Sequence, residues 1–308
     1  MKSSNGHTHP NCTSCPRVSI GIPVFNGADY LAAALDSLLA QTYSDFEIII
    51  SDNASTDGTR AICEDYVRRD RRVRYYRQPR NVGASGNYNR TFELACGEYF
   101  KWHAHDDVCT PTFLERCVGE LDANPGAVLG FSKTRFIDAQ AYFLYDYEHP
   151  MNLEATNRYE RFLQFVQPGH LVVETFAVMR ADILRKTPLI ASYVGSDLVL
   201  LGELALRGSF VVVPEYLFFH REHPHRSMHA HRDPEARTKW WDTSKSGRCA
   251  LPMWRMLMGH MVSLMRVRLP MAERARIALG VLRRGYWQRP RLANELLAVV
   301  FPRRTRER

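Results

Sequence analysis

The chain has 308 residues, 45% of them hydrophobic and 24% charged, the profile of a soluble globular protein with one sizeable core plus an appendage. No run of about eighteen uncharged apolar residues occurs, which excludes a membrane-spanning helix. The net charge of +8 points to an anionic partner: a membrane surface, a nucleic acid or a phosphorylated substrate.

The chain opens with MKSSNGHTHPNCTSCP, which lacks the apolar centre of a signal peptide and reads as a disordered lead over residues 1–16. A cytoplasmic location is the matching expectation. Seven cysteines, an odd number without a framework, read as free thiols. Cys12 and Cys15 lie near His7 and His9; a metal or redox role stands beside the plainer reading of an inert segment.

Val18 to Val24 is a short apolar run and the first expected strand. Ala28 to Ala40 follows with Leu31, Leu35, Leu38 and Leu39 at helical spacing. Phe46 to Ile50 is a second apolar strand, and Asp52 to Thr59 is a loop of turn residues. A helix over Thr59–Arg69, a strand over Val73–Arg77, a helix over Ala84–Ala95 and a strand over Tyr99–Trp102 come next. Another helix starts near Pro111, where a first-turn proline fits. This alternation predicts an α/β fold, with a mostly parallel sheet flanked by helices and ligands bound outside the carboxyl ends of the strands. Ser132 to Pro150 reads as an irregular aromatic excursion, Tyr159–Val166 as a helix, and Val172–Met179 as a return to the sheet. Ser196–Leu206 reads as a helix opened by a Ser/Asp cap, and Phe210–Val213 as a short strand. Beyond about Lys239 the pattern turns to helices rich in Trp, Met, Leu and Arg. The expected division is lead 1–16, an α/β domain over 17–230 and a basic amphipathic helical extension 231–308.

Three of these segments carry candidate chemistry. Asp106 and Asp107 sit between a strand and a helix, where adjacent carboxylates suit a hard divalent cation such as Mn²⁺ or Mg²⁺. A helix cap is the alternative. Asp52, at the end of the second strand, can accept a hydrogen bond from a nucleotide base, or serve a turn as Asp57 does. Neither a G-x-G-x-x-G nor a G-x-x-x-x-G-K-[ST] loop is present, so a bound diphosphate would need a metal to neutralise it.

The ordered set IPVFNG (Ile22–Gly27), SDNASTDGT (Ser51–Thr59), NVGASGNYN (Asn81–Asn89), HDD (His105–Asp107) and SDLVLLGELALRG (Ser196–Gly208) resembles the family 2 glycosyltransferases over about Arg17 to Ser227. The resemblance implies a GT-A fold and an inverting, metal-dependent transfer from a nucleoside-diphosphate sugar to a glycan or lipid-linked acceptor. It implies that Pro23, Phe25, Asn26, Asp52, Asn81, Gly83 and Asn89 line the nucleotide-sugar pocket. Asp106 would be the metal-ligating member of the family's D-x-D, with Asp107 beside it on metal and donor. Asp197 would be the catalytic base, a helix cap being the alternative. Arg221 and His223 would meet the diphosphate or the metal. Two departures stand out: Ala104 replaces the first D-x-D aspartate, leaving His103 or His105 for the sugar, and Tyr88 replaces an arginine. The C-terminal arginines and the Trp/Met-rich helices suggest contact with an anionic membrane at its inner face, in cell-envelope or polysaccharide synthesis, and no nucleic acid is expected. The competing reading is a non-catalytic basic module on membrane or nucleic acid.

Overall fold

The structure is a computed structural model that describes residues 15–147, 157–166, 171–226, 233–245 and 251–300. Nearly all of the expected lead, including Cys12, lies outside the described residues, as do Arg303, Arg304, Arg306 and Arg308.

Strands β1 (Val18–Val24), β2 (Phe46–Asp52) and β4 (Tyr99–Trp102) are buried at every residue. Their mostly apolar sequences follow from helices covering both faces of a parallel sheet. Helices α1 (Leu31–Leu39), α2 (Thr59–Arg69) and α3 (Ala84–Glu93) make the crossovers, and β3 (Val73–Arg77) lies at the edge. β1 pairs in parallel with β2 and β4, and β2 with β3. The helix expected near Pro111 is α4 (Phe113–Ala123).

Beyond β4 the sheet becomes mixed, in the order β3-β2-β1-β4-β8-β6-β9-β5. β8 (Val178–Arg180) runs antiparallel to β4 and to β6 (Ala127–Ile137). β9 (Ser209–Arg221) is parallel to β6, so both share the direction of β1–β4 and end at the same edge. The two-residue β5 (Val108–Cys109) pairs antiparallel with β9.

Four expectations are corrected here. The segment from Ser132 is not irregular: it belongs to β6, which forms a hairpin with β7 (Phe143–Tyr147), while residues 148–150 lie outside the described residues. Its buried Ser132 and Thr134 had hidden the strand pattern. β9 runs on for thirteen residues because the ladder shifts register around Pro214 and Glu215, a bulge that accommodates a proline without breaking the strand. Residues Val173–Phe176 form a 3₁₀ turn before β8. Helix α7 (Ser196–Arg207) is not capped by Ser196: Gly195, at φ 87°, precedes it, and Ser196 Oγ donates to the Ala191 carbonyl at 2.8 Å.

Helices α5 (Arg158–Phe165) and α6 (Ala181–Leu184) complete the sheet-bearing half with α7. Helix α8 (Pro234–Trp241), opened by the Asp233 side chain accepting from Ala236 N–H, folds back onto that half. Ser85 Oγ donates to the Trp241 carbonyl at 2.9 Å and Thr243 Oγ1 to the Asn81 carbonyl at 3.0 Å. Helices α9 (Pro252–Arg266), α10 (Met271–Trp287) and α11 (Arg289–Val300) follow, with α9 packed on α7 and α10 on α5. Among the described residues no helix is long and apolar enough to cross a membrane.

Candidate active site

The carboxyl ends of β1, β2, β4 and β9 form one edge, and the expected residues gather there. After β1 the chain turns at Asn26, whose φ of 51° is left-handed, a conformation asparagine tolerates. The turn is tied to the loop after β2. Asn26 Oδ1 accepts from Thr56 N–H at 2.8 Å, and Ser55 Oγ accepts from Asn26 N–H at 2.9 Å. Asp57 accepts from Ala28 N–H and from the Thr59 hydroxyl at 2.6 Å. Burial works against its charge, but the bonds from Thr59 and Ala28 hold it below the usual carboxylate range. Pro23 is buried at the end of β1 and Phe25 is exposed beside the turn.

Asp52 is buried at the end of β2, where it accepts from Ser55 N–H at 2.8 Å and from the Tyr75 hydroxyl at 2.7 Å. Arg77 Nε approaches it at 3.4 Å. Asn81 Oδ1 accepts from Asn53 Nδ2 at 3.0 Å and Gly83 N–H at 2.9 Å. Gly83 has φ 84°, and a Cβ there would come within 2.7 Å of the Trp241 carbonyl, so only glycine fits beneath α8. Asn89 uses both polar atoms on the Ile190 backbone, at 2.8 and 3.1 Å, and so anchors the segment leading to α7.

The two aspartates after β4 are separated by the ladder register. β5 pairs Val108 with Phe219, which sets Asp107 beside His220 and Arg221. Asp107 is fully buried; Oδ1 accepts from Arg221 N–H at 2.9 Å and Oδ2 lies 2.9 Å from His220 Nδ1. Both oxygens are thus committed to β9, and Asp107 frames the site rather than facing it. Asp106 retains some exposure, with Oδ2 2.9 Å from His223 Nε2. Burial opposes its charge, yet His105, His223 and His220 together hold the carboxyl below its ordinary range. Arg221 Nε donates to the Asp106 carbonyl at 2.8 Å, and its Nη1 to the Asp138 and Ala139 carbonyls. Tyr30 covers both residues, its ring 4.5 Å from that of His223 and 5.1 Å from the Arg221 guanidinium.

Asp197 lies in the first turn of α7, its Oδ1 accepting from Leu198 N–H at 2.9 Å. Burial raises its pKa, with the charge of Glu174 adding to the effect. Burial pushes the Tyr88 phenol up, and the charges of Asp106, Asp107 and Asp197 push it further. One ring therefore senses all three carboxylates. Of the two histidines considered for the sugar, His103 is fully buried, 3.1 Å from the Asp107 carbonyl, and burial keeps it neutral. His105 is only half-buried and packs against Gly27.

Three residues escaped the sequence reading. His220 and Tyr30 act through strand register and ring packing, which no local motif announces. Lys101 is a buried cation on β4 that makes no ion pair among the described residues. It donates to the Phe176 carbonyl at 2.5 Å and lies between the Phe113 and Phe218 rings, at 4.6 and 4.9 Å. Burial pulls its pKa down to about 8.

Among the described residues, no three His, Cys, Asp or Glu side chains stand close enough to hold a metal alone. Asp106 and His223 still offer one oxygen and one nitrogen donor side by side. The carboxylate suits either Mn²⁺ or Mg²⁺, but the imidazole nitrogen favours Mn²⁺ over the harder Mg²⁺, with phosphate oxygens and water supplying the remaining positions.

The model for "Glycosyl transferase family 2" matches residues 19–187, more than half of the chain. The chain belongs to glycosyl transferase family 2. An uncharacterised glycosyltransferase of Rickettsia typhi is 37% identical over 134 residues, 43% of this chain and 41% of that relative. Glycosyltransferase GlyG of Streptococcus pneumoniae is 34% identical over 110 residues, 35% of this chain and 36% of the relative. The match thus spans well under half the length of these family 2 relatives. Among solved structures, S. aureus TarS 1–349 in complex with UDP-GlcNAc superposes with a TM-score of 0.64 at 15% identity, covering 91% of this chain and 79% of that one. The mannosyltransferase PcManGT from Pyrobaculum calidifontis, in complex with GDP-Man and Mn²⁺, gives 0.58 at 17% identity, covering 97% and 79%. At such identities the likeness establishes the GT-A fold of this family 2 chain.

Proposed function

We propose that the protein is a metal-dependent, inverting glycosyltransferase that moves a sugar from a nucleoside diphosphate to an acceptor hydroxyl. The observation that carries the reading is the Asp106–His223 pair at the carboxyl edge of the sheet, with Asp197 in the first turn of α7 acting on the same buried Tyr88 phenol as Asp106. The loops holding Pro23, Phe25, Asn26, Asp52, Asn81 and Gly83 form the nucleotide side, knitted by the hydrogen bonds between them. The neighbours bound to UDP-GlcNAc and to GDP-Man with Mn²⁺ support a nucleotide sugar as donor.

Asp106 and His223 would hold the ion, which offsets the charge that gathers on the departing diphosphate. Asp107 holds the Asp106–Arg221 corner in place from behind. Asp197 accepts the proton of the acceptor hydroxyl as its oxygen attacks the anomeric carbon from the face opposite the diphosphate. Direct displacement inverts that carbon, through a transition state like that of glycoside hydrolysis. A carboxylate with a raised pKa is a stronger base than an ordinary aspartate, which fits this role. The acceptor on this reading is a glycan or a lipid-linked glycan of the cell envelope, elongated in the cytoplasm.

Asp197→Asn tests the assignment. It keeps the affinity for nucleotide sugar and lowers transfer by roughly 10²–10⁴-fold, the usual contribution of a general base. Turnover retained within a few-fold would remove Asp197 from the mechanism.

A further inference from the structure

The C-terminal helices carry apolar residues on two opposite faces. The inner faces are buried: Met256, His260 and Leu264 on α9, and Ile277, Gly280 and Val281 on α10. The opposite faces should be polar in a helix that only covers a domain. Instead α9 exposes Met258, Val262 and Met265 at helical spacing, the last 71% exposed. α10 exposes Leu279, Leu282 and Tyr286, at 68, 54 and 62%. Trp287 adds a large aromatic at the end of α10. α9 packs on α7, α10 packs on α5, and the two pack on each other, so the face opposite each buried one is turned away from those helices.

Charge identifies what such a face meets. Residues 251–308 contain thirteen arginines, no lysine and three glutamates, a net +10. The first 250 residues contain the remaining 28 basic and 30 acidic side chains, a net −2. The whole positive excess of the chain therefore sits in the extension. Arg268, Arg283 and Arg291 are exposed and have no acidic partner among the described residues. Arg283 borders the apolar stripe, four residues after Leu279 and three before Tyr286.

We propose that the outer face of α9 and α10 is an interfacial docking surface for an anionic lipid bilayer, lying in the headgroup layer rather than crossing it. Apolar side chains enter the acyl boundary, Tyr286 and Trp287 sit at the headgroup level, and the arginines reach lipid phosphates. A second copy of the chain is the weaker occupant, since it would bring two strongly positive segments face to face. The assignment stands on the extension alone and does not depend on which sugar is transferred.

The test is co-sedimentation of the full chain with vesicles of phosphatidylcholine, with or without phosphatidylglycerol. Binding is expected only with phosphatidylglycerol, and it falls as salt is raised. Arg268→Ala/Arg283→Ala/Arg291→Ala weakens it by on the order of a hundredfold, about fivefold for each basic residue near the surface. Leu279→Glu/Leu282→Glu weakens it by at least about tenfold through lost apolar burial. Both variants alter exposed side chains, so their melting temperatures should match the parent. Equal binding to both vesicle types, no binding to either, or variants that bind like the parent would overturn the proposal. So would a dimer, seen by light scattering, that the Leu279→Glu/Leu282→Glu pair dissociates.

Discussion

Adjacent aspartates in one turn should respond to substitution in opposite ways. Asp107→Ala removes a fully buried carboxylate and leaves two buried groups without partners, Arg221 N–H and His220 Nδ1. Breaking a buried charged interaction from one side costs about 3–5 kcal/mol. For a chain of this size that corresponds to roughly 6–20 °C in melting temperature. Asp107→Asn keeps the shape: its carbonyl oxygen still accepts from Arg221 N–H and its amide faces His220, so the cost falls to about 1 kcal/mol. Asp106→Ala, at a partly exposed position with one histidine contact, changes the melting temperature by only a few degrees. Adding a nucleoside diphosphate with Mn²⁺ reverses the ranking. Asp107→Asn keeps a thermal shift and Asp106→Ala loses it. Differential scanning fluorimetry of the three variants, with and without nucleotide and metal, reads both effects. If Asp107→Ala were as stable as Asp106→Ala and both lost the ligand response equally, the division of labour would be wrong.

Two further outcomes follow from buried titratable groups. Lys101 has a folded pKa of about 8 against an ordinary 10.5, so the unfolded chain binds this proton more tightly. The cost, roughly 3 kcal/mol at about 1.4 kcal/mol per unit, is fully present at pH 7 and disappears as pH rises from about 8 to 10.5. Lys101→Met should therefore be more stable than the parent at pH 7 by roughly 1–3 kcal/mol, the lost carbonyl contacts offsetting part of the gain. The advantage should fade by pH 10.5, and urea titrations at the two pH values measure it; an unchanged difference would contradict the burial argument. Asp197 has a raised pKa in the fold, so its ionisation destabilises the protein as pH rises through and above the unfolded carboxylate value. Asp197→Asn should then raise the melting temperature at pH 7 while lowering transfer roughly 10²–10⁴-fold, and a lowered melting temperature would argue for a structural carboxylate instead.

Where the polypeptide obeys one period, its structure was readable from the residues. β1, α2, β3 and β4 lie where the apolar runs and turn residues put them, and for the wholly buried β1 and β4 a parallel sheet tolerates little else. The second half resisted. β6 buries Ser132 and Thr134 among its apolar residues, and β9 passes Pro214 through a bulge, so each looked shorter or less regular than it is. The return of α8 over Gly83 and Asn81, through contacts more than 150 residues apart in sequence, had no local signal either. At the site, Asp52, Asp106, Asp197 and His223 stood out by residue type and by family resemblance. The separate tasks of Asp106 and Asp107 did not, because they depend on which residue of β9 lies opposite β5. The same register explains His220: pairing the strand after HDD with FFHR at Phe218–Arg221 would have been the signal.

The proposed transfer requires Asp106 and His223 to hold a metal against a diphosphate. Electron paramagnetic resonance of Mn²⁺ titrated into the protein with UDP or GDP tests this directly by reporting the bound ion. The parent and Asp107→Asn should bind Mn²⁺ in the presence of the matching nucleotide, while Asp106→Ala and His223→Ala should leave it free. Undiminished Mn²⁺ binding by both Asp106→Ala and His223→Ala, in the presence of the same nucleotide, would contradict the assignment.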